Sequence, residues 1–408
     1  MPHPPVRPRE IFGWACYDFA NSAYTTVIVT VVFSVYFVEV VNEGRPGGLA
    51  LWSWMLALSQ TVVILVSPTL GALADVTARK KAFLAGSAAV CCLATALLWF
   101  TGPGTVALAF ALVVVANIAF SLGENFCASF LPEISTSANA GRISALGWGL
   151  GYCGGLLSLV LALVLVKTMP EHGARASFLM TGLFFAVAAV PTLLLLRERA
   201  VAQPGEAGRA VRAAFRRLGE TFHEVRRHRR LAWFFAAFFF FICGLSSVFA
   251  FAAIVAGRQF GFGQTEVIGL FAALQVTATV GALGFGWLQD RWGARPVLVL
   301  SLLGWVAVSL GAALATGKPA FWIIGCAAGL VMGSTQSASR ALVSILTPEG
   351  RSGEIFGFWG FFGKLAAVVG PLVYGAVAEA ASLATASLVN AVFFVVGLSI
   401  FLAMPRRG

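Results

Sequence analysis

The sequence predicts an all-α integral membrane protein, with twelve transmembrane helices in two pseudo-symmetric six-helix bundles. Three observations predict it. Of the 408 residues, 59% are hydrophobic and only 11% charged, whereas an ordinary soluble domain carries about 25% charged residues. Twelve apolar runs reach the roughly 20 residues that a helix needs to cross a bilayer. The chain also repeats itself. Gly71-Ala72-Leu73-Ala74-Asp75-Val76-Thr77-Ala78-Arg79-Lys80 matches Gly286-Trp287-Leu288-Gln289-Asp290-Arg291-Trp292-Gly293-Ala294-Arg295 at an offset of 215, and Leu131-Pro132-Glu133 matches Thr347-Pro348-Glu349 at 216. A repeat of this kind, each copy linking equivalent helices, marks two parallel halves.

In chain order the expected spans are 11–41, 50–74, 82–101, 104–130, 143–168, 175–196, 231–256, 265–288, 296–316, 319–343, 353–380 and 383–404. An even number of spans puts both termini on one side. Of the 28 Lys and Arg residues, 21 fall in segments on that side and 5 on the other, with Arg340 and Lys364 inside spans. By the positive-inside rule both termini are expected to be cytoplasmic. The net charge of +11 therefore belongs to membrane orientation, and a nucleic-acid partner is excluded. Met1 to Glu10 precedes a long span without a cleavage site, so the first helix is expected to stay as an anchor.

The long loop 197–230, with ten arginines and four glutamates, divides an amino-terminal bundle (1–196) from a carboxy-terminal one (231–408). Within it Val211, Phe215, Leu218, Phe222 and Val225 recur at helical spacing among arginines. The loop reads either as a basic helix on the anionic inner leaflet or as a solvated tether. All seven cysteines lie in apolar segments, which leaves no disulfide framework or zinc spacing. No phosphate-binding Gly-x-x-x-x-Gly-Lys-Ser/Thr run is present, the four histidines sit in loops or at the amino terminus, and no cofactor, metal or enzymatic chemistry is expected.

The stretch Gly13 to Tyr24 places an acid and an amide inside an apolar run. At helical spacing Asp18, Asn21, Ser22 and Thr25 share one stripe. An unpaired carboxylate in hydrocarbon costs roughly 2.5 kcal/mol or more, so this stripe needs a wet or protein-lined partner. A polar pair that merely packs helices is the alternative. The wider pattern is consistent with a wet path. Spans three, six and nine carry no Asp, Glu, Lys, Arg, Asn or Gln in their interiors, and span twelve only Asn390. By contrast Asp18 and Asn21 lie in span one, Gln60 in two, Asn117, Glu124 and Asn125 in four, Gln275 in eight, Gln336 and Arg340 in ten, and Lys364 in eleven. Glycines at 147, 151 and 155, and again at 353, 357, 360 and 363, form ladders that permit close helix approach.

The two loop copies resemble the signature loop of the major facilitator superfamily, the second complete and the first with Val76 and Ala78 where Arg and Gly are usual. Trp14 to Tyr24 (WACYDFANSAY), Phe130 to Ile134 (FLPEI), Gly141 to Gly155 (GRISALGWGLGYCGG) and Gln336 to Gly370 resemble the autophagy-related vacuole-effluxer family within that superfamily. The resemblance implies the major facilitator fold, with the third helix of each triplet outermost. It also implies solute export or exchange, with amino-acid efflux attributed to vacuolar members, and because the family has many bacterial members the expected location is a plasma membrane of the bacterial inner-membrane type.

The expectation is therefore a secondary transporter moving a small polar solute, amino acids first, by alternating access, with coupling to protons left open. Asp18, Asn21, Gln60, Asn117, Gln275, Gln336 and Lys364 are the substrate and coupling candidates. A carboxylate at Asp18 and an ammonium at Lys364 suit a zwitterion, or the two neutralise each other. Glu124 and Arg340, each eight residues before a repeat proline, are the gate candidates together with Asp75, Arg79, Asp290 and Arg295. The alternatives are a proton-linked exporter of hydrophobic compounds and a receptor or scaffold that does not transport.

Overall fold

The computed structural model describes residues 6–135, 140–199, 229–346 and 352–405. Most of the basic loop, and with it the expected amphipathic helix, lies outside the described residues. So do Thr347, Pro348 and Glu349. Among the described residues, twelve helices are long and apolar enough to cross a membrane. They are α1 (Pro8–Val41), α2 (Gly48–Thr77), α3 (Lys80–Leu97), α4 (Val106–Ala128), α5 (Ala140–Thr168), α6 (Gly173–Leu195), α7 (Arg229–Phe260), α8 (Gln264–Trp292), α9 (Ala294–Leu314), α10 (Lys318–Leu346), α11 (Ser352–Ala380) and α12 (Leu383–Ala403). All twelve coincide with the expected spans. Helix is the expected outcome because hydrocarbon offers a backbone N–H or C=O no partner outside its own segment.

The chain forms two compact units, 1–44 with 58–215 and 45–57 with 216–408. In the first, α1 packs on α5 and α6, α3 on α4 and α6, and α5 on α6. In the second, α7 packs on α11 and α12, α9 on α10 and α12, and α11 on α12. Adding six to each helix number converts the first set into the second. The repeat seen as two short sequence matches is thus a repeat of whole helix contacts.

Small residues set the closest of these contacts. A Cβ on Gly154 of α5 would strike the Phe19 carbonyl of α1, and one on Gly370 of α11 would strike the Cys243 carbonyl of α7. The two glycines stand 216 residues apart, at the repeat offset. On α5 the ladder runs Gly147, Gly151 and Gly154, the first two against Asp18 and Ser22. On α11 the expected ladder is not where α7 comes closest. Gly360 has open space, a Cβ on Gly363 would lie 3.9 Å from the Phe238 ring, and the tight contacts fall later, at Gly370 and at Gly375, which faces Ser53. The packing of Gly353 and Gly357 lies outside what is described.

Within the second unit, segment 45–57 is held by groups on α7 and α11. Trp52, fully buried, donates its indole N–H to the Ala250 carbonyl at 2.9 Å, and the Gly47 N–H meets the Glu379 carboxylate. The large exposed apolar side chains include Leu93 of α3, Leu183 and Val187 of α6, Leu303 and Leu314 of α9, and Val392 and Val395 of α12. Those four helices are the ones that the sequence keeps almost free of strongly polar residues, so their exposed faces suit acyl chains.

The two signature loops share one backbone feature. Ala78 adopts φ 51° and Gly293, 215 residues on, adopts φ 83°. Each turns the chain between helices where a left-handed residue is required. Alanine there costs about 1 to 2 kcal/mol that glycine does not. Replacing Ala78 by Gly is therefore expected to stabilise the protein by about 1 kcal/mol, read as a higher midpoint in thermal unfolding in detergent, whereas Gly293→Ala lowers it. A midpoint unchanged or lowered in Ala78→Gly would contradict this account of the loop.

Candidate functional site

In the first unit the polar stripe of α1 meets α5. Asp18 is half-buried, with a carboxylate oxygen directly over Gly147, where any side chain would collide with it. Ser22 donates its hydroxyl to the Asp18 carbonyl at 2.7 Å, and Thr25 donates to the Ser22 carbonyl at 3.1 Å. Asn21 is 6% exposed. Directly after this stripe the helix loosens. Tyr24–Val31 and Phe37–Val41 are π-helical, closed by bonds such as Val32 N–H to the Val27 carbonyl and Asn42 N–H to the Phe37 carbonyl, each 2.8 Å. Widened turns of this type are rare and concentrate at functional positions. No sequence signal marks them, since Tyr24 to Val31 reads as an ordinary β-branched apolar run.

Helices α2 and α4 are joined by a polar zipper. Asn117 donates its amide to Ser59 Oγ at 2.5 Å, Gln60 to Ser121 Oγ at 3.2 Å and Asn125 to Ser67 Oγ at 2.8 Å. Two residues singled out as substrate candidates, Gln60 and Asn117, are thereby engaged between helices. Interhelical bonds of this kind are worth about 0.6 to 2 kcal/mol in a membrane. Gln60 keeps one unsatisfied group, its carbonyl oxygen, buried without a partner among the described residues. The hydroxyls of Tyr17 and Tyr24, both fully buried, are in the same position. Tyr24 stacks on Phe120 at 5.1 Å and Tyr17 meets the edge of Phe185 at 5.7 Å. The interior of this unit thus carries polar atoms that want water or solute, set in aromatic walls. Glu124 is exposed at the far end of α4.

In the second unit Gln275, Gln336, Arg340 and Lys364 are all half-buried. The Arg340 guanidinium lies 5.8 Å from the centre of the Trp359 ring, and Trp359 in turn lies 5.4 Å from Phe238. Phe235, Phe358 and Phe362 extend this aromatic group on α7 and α11, with centroids 5.1 to 5.6 Å apart. A cation over an aromatic face gains about 0.5 to 2 kcal/mol, so Trp359 helps hold Arg340 in an apolar setting. Of the loop candidates, Arg79 is exposed, and Arg295 donates to the Met404 carbonyl at 3.1 Å while covering Phe401 at 5.5 Å. The side chains of Asp75 and Asp290 lie outside the described residues.

A charge cluster that sequence reasoning missed closes the terminal end of the first unit. The Glu10 carboxylate, 1% exposed, receives the Arg199 guanidinium at 2.7 Å. Glu133, the acid of the Phe130 to Ile134 motif, receives Lys80 Nζ at 2.9 Å and the Arg199 N–H at 3.2 Å. Glu198 caps the start of α3 through the Lys80 and Lys81 N–H groups, and Lys81 Nζ donates to the Leu196 carbonyl at 2.9 Å. These groups are drawn from four distant parts of the chain. The start of the basic loop is therefore tied down beside the amino terminus.

This repeated twelve-helix architecture is that of the major facilitator class of secondary transporters. Among solved structures the chain is similar to the crystal structure of a mutant of the nucleoside transporter NupG, with a TM-score of 0.75, 15% identity and coverage of 97% of this chain and 100% of that one. It is also similar to a bacterial homologue of the human lysosomal transporter Spinster, in an inward-facing and unoccupied conformation, with a TM-score of 0.71, 13% identity and coverage of 98% and 97%. The family is narrower. The family model described as "Vacuole effluxer Atg22 like" matches residues 50–407, and the chain belongs to that family. Its relatives include an uncharacterized MFS-type transporter, YxiO, of Bacillus subtilis (strain 168), 27% identical over 97% of this chain and 94% of that protein. Autophagy-related protein 22-1 of Penicillium rubens is 24% identical over 58% of this chain and 44% of its own length.

Burial makes the Glu10–Arg199 pair the most sensitive part of the charge cluster. Removing one partner strands a buried charge, at a cost of about 3 to 5 kcal/mol, whereas replacing both by apolar residues is close to neutral. Glu10→Leu is accordingly expected to lower the unfolding midpoint sharply, and the Glu10→Leu/Arg199→Met double variant to recover most of the loss. Equal losses in the single and double variants would show that the two side chains do not act as a pair.

Proposed function

We propose that the protein exports a small zwitterionic metabolite, an amino acid before other solutes, by alternating access across a bacterial inner membrane, with both termini in the cytoplasm. The observation that carries the proposal is the segregation of polar side chains. Asp18, Asn21, Gln60, Asn117, Gln275, Gln336 and Lys364 occupy helices of both units, while α3, α6 and α9 hold no comparable residue in their interiors and expose leucine and valine. Charges at Asp18 and Lys364 are costly in a bilayer unless a wet path or a ligand needs them. In this reading Asp18 receives the solute ammonium and Lys364 its carboxylate. Asn21 and the unsatisfied carbonyl of Gln60 add neutral contacts, and Gln275 and Gln336 line the second half of the path. Glu124 and Arg340 act as gate charges, with Asp75, Arg79, Asp290 and Arg295 controlling the loops between helices. Alternating access then exposes these groups first to one side of the membrane and then to the other. A proton on Asp18 or Glu124 supplies the coupling.

Support for the polar solute comes from the unsatisfied polar atoms inside the first unit, and for export from the effluxer family. A second reading, export of a hydrophobic compound, draws on the aromatic group around Trp359 in the second unit.

Counterflow in proteoliposomes, with labelled amino acids, sugars, organic acids and an apolar amine, with and without a pH gradient, tests the proposal. Exchange of at least one amino acid is expected. Asp18→Asn and Lys364→Gln should each reduce it by roughly tenfold or more, the factor that a hydrogen bond to a charged group contributes. Asp18→Asn should also lose preference for the amino acid over its deaminated analogue. Exchange of the apolar amine alone supports the hydrophobic exporter, and exchange of no solute supports a receptor or scaffold.

A further inference from the structure

The first unit carries an apolar cleft. It opens on the outer surface between α2, α3 and α4, has a volume of about 530 Å³, and is lined by apolar side chains such as Phe83, Val90, Val115 and Leu122. Val90 and Val115 are 46% and 45% exposed, and a Cβ on Gly86 would meet nothing within 4 Å. At one end stands Arg79, at the first turn of α3. Its neighbours are occupied, Lys80 by Glu133 and Lys81 by the Leu196 carbonyl. Arg79 itself is exposed and makes no ion pair among the described residues.

In the second unit the equivalent helices are packed tightly. Gly281, Gly329 and Gly333 let α8 and α10 touch backbone to backbone. At the repeat offsets of 215 and 216 their counterparts are the larger residues Val66, Val113 and Asn117. The counterpart of Gly86 is Ser301, fully buried and 2.6 Å from Ser334 Oγ, and Gly304 receives the Val331 side chain.

We infer that the cleft binds one anionic phospholipid, an acyl chain lying along Phe83, Gly86, Val90 and Val115 and the phosphate held by Arg79. The volume lies within the usual range for small-molecule sites, and the walls are apolar apart from Arg79 at one end and Ser87, whose hydroxyl is already bonded to the Phe83 carbonyl. A guanidinium matches phosphate oxygens in a two-pronged geometry, and basic positions beside membrane helices are the usual headgroup anchors. Val90 and Val115 expose apolar surface on helices long and apolar enough to cross a membrane, which favours a lipid as the occupant. Because α2 and α4 are also the helices of the polar zipper, a bound chain would wedge between the elements that carry Gln60 and Asn117.

The full-length protein in nanodiscs of phosphatidylethanolamine, doped with phosphatidylglycerol carrying a photoactivatable acyl chain, tests the inference by mass-spectrometric mapping of adducts. Adducts are expected to concentrate on residues 82–90 and 115–126. Arg79→Glu should lower them roughly five-fold, the factor that one basic residue contributes at an anionic surface, while leaving labelling by an uncharged diacylglycerol probe unchanged. Gly86→Trp or Val115→Trp, either of which fills the cleft, should abolish the concentration for both probes with an unchanged gel-filtration profile. Adducts spread evenly over α6, α9 and α12, or undiminished in both tryptophan variants, would overturn the assignment. So would displacement of the adducts by the apolar amine without any effect of Arg79→Glu, which would mark the cleft as a hydrophobic-solute site.

Discussion

Every strongly polar group in this chain must be kept from hydrocarbon, and most of the architecture follows from how that is done. Backbone groups are satisfied by helix formation. Side chains are sorted: α3, α6 and α9 carry no Asp, Glu, Lys, Arg, Asn or Gln in their interiors, and the amides of α2 and α4 turn toward each other's helix. The zipper of Asn117, Gln60 and Asn125 on Ser59, Ser121 and Ser67 shows how closely such faces come to match, an amide on one helix for each hydroxyl on the other. What the sorting leaves over is informative. Tyr17, Tyr24 and the Gln60 carbonyl oxygen are buried without partners among the described residues, and a fold assembled for stability alone would have replaced them by apolar groups.

The internal repeat organises the rest, and its departures from symmetry carry the individual character of the protein. Gly154 and Gly370 do the same work in the two units, as do Ala78 and Gly293. Elsewhere the halves diverge. α1 opens into π-helical turns after its polar stripe, whereas α7 is α-helical throughout. The second unit holds its basic residue against an aromatic group, and the first binds its linker through a carboxylate cluster. Duplication supplied the frame, and these differences are where each half acquired its own chemistry.

The helices and the repeat were legible because both rest on local information: apolar runs of fixed length, and residues a constant distance apart. The shared stripe of Asp18, Asn21, Ser22 and Thr25 followed from helical periodicity, whereas the seat of Asp18 against Gly147 did not. Three features were not legible, each for a physical reason. The α2–α4 zipper turns Gln60 and Asn117 toward each other's helix, and a periodic pattern identifies a polar face without saying what it faces. The Glu10–Arg199 pair joins residues 189 apart, so no local signal links them. The wide turns of α1 depend on how it packs, since the residues Tyr24 to Val31 are compatible with either helix.

The central claim is that the polar helices line a path reached by water and solute, while α3, α6 and α9 face lipid. Its most direct measurement is thiol accessibility. In a variant with all seven native cysteines replaced, single cysteines would be placed at Asp18, Gln60, Asn117, Gln275, Gln336 and Lys364, and at Leu93, Leu183 and Leu303. Each would be reacted with a charged, membrane-impermeant reagent in inverted and right-side-out vesicles. The account predicts reaction at the first group, from one side or the other, and none at the leucine positions. Equal reactivity in the two groups, or silence at Asp18 and Lys364 from both sides, would contradict it.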